Sequence, residues 1–407
     1  MPLITNLPPT REIHMSPHCS YSAFTSIKVL FGRGTKDWWL RCTVLVLSSV
    51  FTGGCTVGQL SNVNEVPTTA SDSTTSCQRF ENTLPICQFS NPEDIAVLPD
   101  HKTLLVSEHG GIDGARPGAL VYYDIASRQT RTAFKGGDAT LPTEYWGSRE
   151  CTEPPGNAFS PHGIDLIQRS DGRWQLLVVQ HGGRESIEFF ELKNSADGVQ
   201  LVWRGCAIAP EHAQLNAVAA GMGEEFFTTK MLSTNASWAD EGFDPAEPTG
   251  LVYRWNKLSG FQAVANSEGT MLNGIAASRD GKTIFVIYSG ENLLKKIDVK
   301  TGTILASTSL RSGDNVKWSA DGDTILAASF VGTEDNSVFA RCLSSEMAVC
   351  PIAFAIIELD PNTLSKVTLF ENARAPMGAG TVGIKIDSSL FIGSFSSNRL
   401  LQVNLAQ

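Results

Sequence analysis

Pro161 to Gly183, PHGIDLIQRSDGRWQLLVVQHGG, limits the fold more than any other stretch of the chain. It reads as two apolar strands, Gly163 to Gln168 and Trp174 to Gln180, joined by a turn at Ser170-Asp171-Gly172. An Asp-Gly pair between apolar runs is a strong hairpin signal. Closure in register brings the start of the first strand to the end of the second, so His162 and His181 share one end of the sheet. Taken alone, these are two loop histidines; repetition of the hairpin along the chain gives them weight.

The second strand has counterparts at Thr103 to Gly111, Glu225 to Lys230, Thr283 to Gly290, Thr324 to Phe330 and Ser389 to Phe395. A third strand follows each copy, at Ala119 to Ile125, Ser186 to Leu192, Leu251 to Asn256, Leu293 to Val299, Ala353 to Leu359 and Arg399 to Asn404. Fourth strands fit Thr130 to Phe134, Val199 to Trp203, Gly260 to Ala265, Thr303 to Leu310 and Ser365 to Phe370. The sixth copy has none before Gln407, and Arg79 to Phe89 is predicted to supply it and close a ring. Four-stranded units repeated six times, with hardly a helical period between them, predict an all-β, six-bladed β-propeller. Two packed sandwiches are the alternative, but a sandwich does not require the same four-strand phase six times.

With 407 residues and 42% hydrophobic content the chain can bury a large core. A net charge of -10 and the lack of a basic stripe argue against nucleic acid as a partner. Lys36 and Arg41 precede the apolar run Thr43 to Thr52 and then Gly53-Gly54-Cys55. That run is too short to span a bilayer and fits a secretory signal. The small residues before Cys55 resemble a lipoprotein signal, so the protein is expected to be exported, with membrane anchoring through a lipidated Cys55 open. Three segments are expected: an extension with export signal at 1–54, a polar Ser/Thr-rich linker at 55–76, and the propeller at 77–407. Six cysteines remain after Cys55, an even number in a compartment that permits disulfides. Of fifteen pairings, short loops favour Cys77 with Cys87 and Cys342 with Cys350, leaving Cys151 with Cys206.

The innermost strand of each propeller blade lines the central channel. The starts of those strands read Glu93-Asp94, His162-Gly163, Leu215-Asn216, Leu272-Asn273-Gly274, Gly313-Asp314-Asn315 and Gly380-Thr381. Oxygen donors dominate. Such residues cap tight turns as single occurrences, but Glu93, Asn216, Asn273, Asp314 and Asn315 converging from four blades make an oxygen cage suited to calcium. Zinc would want His or Cys instead, and no Cys/His spacing suggests it.

Several of these segments are similar to the paraoxonase (arylesterase/lactonase) family: NPEDIAVLPD at 91–100, SPHGIDLIQRSDGRWQLLVVQH at 160–181, LNAVAAG at 215–221, LNGIAASRDGK at 272–282, GDNVKWSADGD at 313–323 and GTVGIKIDSSLFIGSF at 380–395. The likeness keeps its order over about 80–407. It implies a six-bladed propeller with calcium in the tunnel that hydrolyses small lactones and aryl esters. It implies a catalytic calcium (Ca2+) on Glu93, Asn216, Asn273, Asp314 and Asn315, and a histidine pair at His162 and His181. A second, structural calcium is implied at Asp94 and the carbonyl of Ile164, but Ala217 stands where the family has Asp. One calcium is therefore expected, unless Asp165 turns inward. The family's C-terminal cysteine is missing from Leu401 to Gln407, so ring closure must differ. Its aromatic rim residues are not recognisable in Glu108 to Pro117 or Lys230 to Glu247.

The resulting expectation is an exported, monomeric, calcium-dependent hydrolase. Calcium polarises the carbonyl oxygen, and His162, oriented by His181, activates water; Asp314 is the rival base or nucleophile. The HGG at 181–183 is no serine-hydrolase signature, because no G-x-S-x-G elbow accompanies it. A gluconolactonase-like sugar lactonase, which has a similar metal site without the histidine hairpin, is one alternative. The other is a non-enzymatic binding propeller that keeps calcium for stability, with rim insertions at Lys230 to Glu247 and Val331 to Cys350 as its binding surface.

Overall fold

A computed structural model of the chain describes residues 77–405 apart from 112, 113, 115, 138, 197, 234–246, 333–335, 345–348 and 373–375. The expected export signal, Cys55 and the 55–76 linker lie outside the described residues, as does most of the insertion at Lys230 to Glu247.

The six repeats form six four-stranded antiparallel sheets. Blade one runs Pro92–Val97, Thr103–Glu108, Ala119–Asp124, Gln129–Lys135, and blade two Pro161–Gln168, Trp174–Gln180, Ser186–Ser195, Gly198–Ile208. The inner strands of blades three to six are Ala213–Ala220, Leu272–Ala277, Gly313–Trp318 and Gly380–Ile386. Each inner strand packs against those of the blades on either side, the sixth against the first, so the protein is a six-bladed β-propeller. Closure differs from that of the other blades in the predicted way: Thr83–Ile86 pairs with Leu400–Asn404 as the outermost strand of blade six. Phe89 N–H and Asn91 N–H continue the seam by donating to the carbonyls of Asn398 and Ser397.

The strands form for a shared local reason. At the first turn of blades one, two, four and five, the carboxylates of Asp100, Asp171, Asp280 and Asp321 each accept the backbone N–H two residues on. This Asx turn reverses the chain without help from elsewhere. Apolar, β-branched and aromatic residues fill the strands that follow. Inner strands such as Leu272–Ala277 are buried almost throughout, whereas the outermost strand of the same blade, Ile304–Ser309, is mostly exposed. Cores therefore lie between blades. Ile95, Val106 and Tyr123 of blade one, for example, pack against Val382, Ile384 and Phe391 of blade six.

The three disulfides are Cys77–Cys87, Cys151–Cys206 and Cys342–Cys350, the pairing that loop length favours. The rim insertion after Val331 contains a helix, α1 (Asn336–Leu343), which Cys342–Cys350 joins to the wall of blade six: Ser396 donates its hydroxyl to the carbonyl of Cys342. No described helix is long and apolar enough to cross a membrane.

Candidate active site

All six inner strands carry a register slip near their start, at Pro92/Asp94, Pro161/Ile164, Leu215/Val218, Leu272/Ile275, Gly313/Val316 and Gly380/Val382. A bulge leaves a residue unpaired and re-aims its side chain. The polar residues caught in these slips are Glu93, His162, Asn216, Asn273, Asp314, Asn315 and Thr381. Two glycines allow the blades to crowd at this point. A Cβ on Gly163 would lie 2.7 Å from Ala217 Cα, and one on Gly274 would lie 2.5 Å from the Asp314 carbonyl.

Glu93, Asn216, Asn273, Asp314 and Asn315 are all at least nine-tenths buried, and all but Asn315 line one cavity of about 330 Å³. Asn315 donates its amide to Glu93 Oε1 at 2.6 Å across the tunnel. Three oxygens of this set, Glu93 Oε2, Asn216 Oδ1 and Asn273 Oδ1, are buried without a hydrogen-bond partner. Such orphaned acceptors are costly unless something positive completes them. Burial, only partly offset by the Asn315 amide, pushes the Glu93 carboxyl up to about 7. Burial and the neighbouring Glu93 push Asp314 well above the usual carboxylate range. Two buried carboxylates and three amides, three of whose oxygens are unpartnered, fit a hard cation such as calcium.

The second ion implied by the resemblance does not fit. Asp94 is fully buried; its Oδ1 accepts the N–H of Ile95 at 2.8 Å, and its Oδ2 that of Ile164 at 2.7 Å. The Lys317 ammonium lies 2.8 Å from Asp94 Oδ2 and also donates to the Ile164 carbonyl. A fixed positive charge thus stands between the two groups expected to share that ion, and Ala217 adds only a methyl. Asp165 does not compensate, because its carboxylate accepts the N–H groups of Leu166 and Ala220 at 3.0 and 2.7 Å. Burial disfavours the Lys317 charge, but Asp94 and Asp165 outweigh it and raise its pKa. Asp94, raised to about 6 mainly by burial, stays largely ionised at neutral pH, so the pair is ionic.

The hairpin closes in register, with Pro161 opposite Gln180, and brings the two expected histidines into contact. His162 Nδ1 lies 2.8 Å from His181 Nε2. His181 Nδ1 lies 2.9 Å from Glu185 Oε2, and Glu185 Oε1 also accepts the Leu215 N–H at 2.6 Å. The carboxylate fixes the tautomer: His181 donates from Nδ1 and accepts at Nε2, so His162 donates from Nδ1 and keeps the lone pair on Nε2. That nitrogen faces the cradle, 3.6 Å from Glu93 Oε1. Burial, with His181 alongside, holds His162 well below the usual imidazole range, so it is neutral at pH 7.

The structure adds residues that the sequence reading did not single out. Glu185 follows the HGG at 181–183 in a loop without a periodic signal. His109 belongs to the EHGG at 108–111, which repeats the QHGG at 180–183, and it stacks on His162 with ring centroids 4.4 Å apart. The opposite wall of the cavity is apolar, formed by Met231, Met271, Phe330, Phe339, Ile352 and Phe395. Phe339 comes from α1, inside the Val331 to Cys350 insertion that had suggested a partner surface.

No family model and no curated protein matches the sequence. Among solved structures, a gluconolactonase from Xanthomonas campestris is 14% identical, with a TM-score of 0.45, over 80% of this chain and 89% of that one. A luciferin-regenerating enzyme is 14% identical, with a TM-score of 0.45, over 78% of this chain and 92% of that one. Regucalcin from Agrobacterium tumefaciens, described as a calcium-binding protein, is 13% identical, with a TM-score of 0.41, over 79% and 91%.

Proposed function

We propose that the protein is an exported, calcium-dependent hydrolase of lactones and aryl esters. The observation that carries this is the set of three partnerless buried oxygens, on Glu93, Asn216 and Asn273, facing the same cavity as a histidine pair whose tautomers are fixed. Glu93, Asn216, Asn273, Asp314 and Asn315 would hold one calcium. Bound there, the ion supplies a positive charge that polarises a carbonyl oxygen and stabilises the developing oxyanion.

The proton steps fall to the protein's own groups. His162 takes a proton from water at Nε2 and releases the Nδ1 proton toward His181 Nε2. Glu185 stabilises the positive charge that then develops on His181. Asp314 is the weaker candidate for base, since Asn273 already donates to its carboxylate and the cradle needs its charge. The Met and Phe wall receives the apolar part of the substrate and keeps bulk water from the carbonyl. Small esters and lactones fit the volume and leave no charge to pair against that wall. Lys317 replaces the second ion, so one calcium per chain is expected.

The test is hydrolysis of phenyl acetate and a lactone panel by the purified chain, as isolated, after chelation, and after calcium is restored, with metal analysis on the same sample. Activity that disappears on chelation and returns with one equivalent of calcium is the expected result. Activity indifferent to chelation would remove the metal from the reaction. Calcium binding without hydrolysis of any panel member would favour the non-enzymatic propeller.

A further inference from the structure

We propose that His109, His162 and His181 form a second metal site, for a borderline divalent cation of the zinc class, distinct from the oxygen cradle. This inference goes beyond the hydrolase reading and does not depend on it. One ring nitrogen of each histidine lies within 4.8 Å of one in each of the others. Three imidazoles are a zinc-type ligand set and a poor one for calcium, so the two sites select different ions.

The cluster is built into the fold. His109 and His181 hold the same place in the EHGG and QHGG patterns, directly after the second strands of blades one and two, while His162 sits in the bulge of blade two. The His109 N–H donates to the Asn91 carbonyl and the His109 carbonyl accepts from the Asn91 side-chain amide, which anchors the first of them. His109 is only 3% exposed, and its Nε2 is buried without a hydrogen-bond partner. An imidazole nitrogen in that condition needs a reason, and a metal bond supplies one.

Two further features match a metal site. Glu185 accepts the far N–H of His181, the arrangement that orients metal-bound histidines. The charge balance also allows a second cation. Glu93, Asp314 and Glu185 bring three carboxylates against one dication in the cradle, and no Lys or Arg lines the cavity among the described residues.

Zinc–nitrogen bonds of about 2.0–2.1 Å require the rings to close in from the observed spacing by side-chain rotation. A metal on His181 takes the Nε2 lone pair that accepts from His162, so the hydrogen bond between the two rings breaks as the metal binds. Occupancy therefore competes with the proton relay.

The probe is cobalt(II), added to tag-free, calcium-loaded full-length protein and read by visible absorption. One equivalent should give the intense bands of a low-coordinate cobalt site, and zinc should bleach them. His109→Ala should lose at least about nine-tenths of that absorption while keeping its calcium content, whereas His212→Ala, at an exposed histidine, should keep it. X-ray absorption on the zinc-loaded wild-type protein counts imidazole ligands without any variant, and three are expected. A cobalt spectrum unchanged by His109→Ala, or a zinc shell with one imidazole or none, would overturn the proposal.

Discussion

At the scale of single residues the site is a matter of which groups lack partners and which have a fixed one. Glu185 shares no sequence pattern with the cradle, yet it decides the tautomers of two histidines. Glu185→Gln keeps an oxygen for the Leu215 N–H and changes little in volume, so the fold should survive. The carboxamide can present its N–H to His181, which inverts the tautomer chain and leaves no lone pair on His162 Nε2. We expect kcat for lactones to fall by roughly 10²-fold or more, within the range that general-base catalysis contributes, with KM and calcium affinity within about threefold. Turnover within twofold of wild type would mean that Glu185 does not set the relay. The histidine pair was legible because a hairpin places its two ends together by necessity. His109 was equally available in EHGG, but its importance appears only once blades one and two are side by side. Lys317 was hidden for another reason: a lysine on an inner strand reads as solvent-facing until Asp94 and the Ile164 carbonyl are found around its ammonium.

Strands and turns were the most legible elements, because Asx turns and short apolar runs are local and repeat. The bulges were not. Nothing in Pro92-Glu93-Asp94 or Leu272-Asn273-Gly274 announces a register slip, which arises where a twisted inner strand meets its neighbours at the axis. Helix α1 was missed because its eight residues span little more than two helical turns, too short a run for apolar spacing to stand out within an irregular insertion. Ring closure was read from a deficit, one strand short in blade six. Thr83–Ile86 fills it and buries Ile86, with Phe89 buried just beyond. Burying two large apolar side chains is worth about 3–6 kcal/mol, and the strand's ladder bonds add to that. A chain beginning at residue 91 should therefore melt at least about 5 °C below one beginning at residue 77, by calorimetry in the same buffer. Equal melting temperatures would show that blade six does not need this strand.

For the molecule as a whole, the cradle couples folding to charge. The residues proposed to hold the ion come from blades one, three, four and five, and Asn315 already ties blade five to blade one through Glu93. A cation there would brace four blades at once, whereas without one the same carboxyls are pushed to hold their protons. Calcium binds the ionised forms, so binding must expel whatever protons Glu93 and Asp314 hold. The sign follows: a carboxyl raised from 4.5 to about 7 is mostly ionised at pH 8 and mostly protonated at pH 6. Glu93 alone should weaken calcium affinity about tenfold between those two values. Asp314, raised for the same reasons, adds in the same direction. The neutral histidines make the fold itself less stable in acid, because His109 and His162 take up protons on unfolding below about pH 6.5. That term is common to calcium-loaded and calcium-free protein and cancels when the two are compared. Calorimetric titration at pH 6, 7 and 8, paired with melting curves in calcium and in chelator, should show affinity and calcium-induced stabilisation rising together with pH. Affinity that is flat or stronger at pH 6 would mean that Glu93 and Asp314 are not the residues that hold the ion.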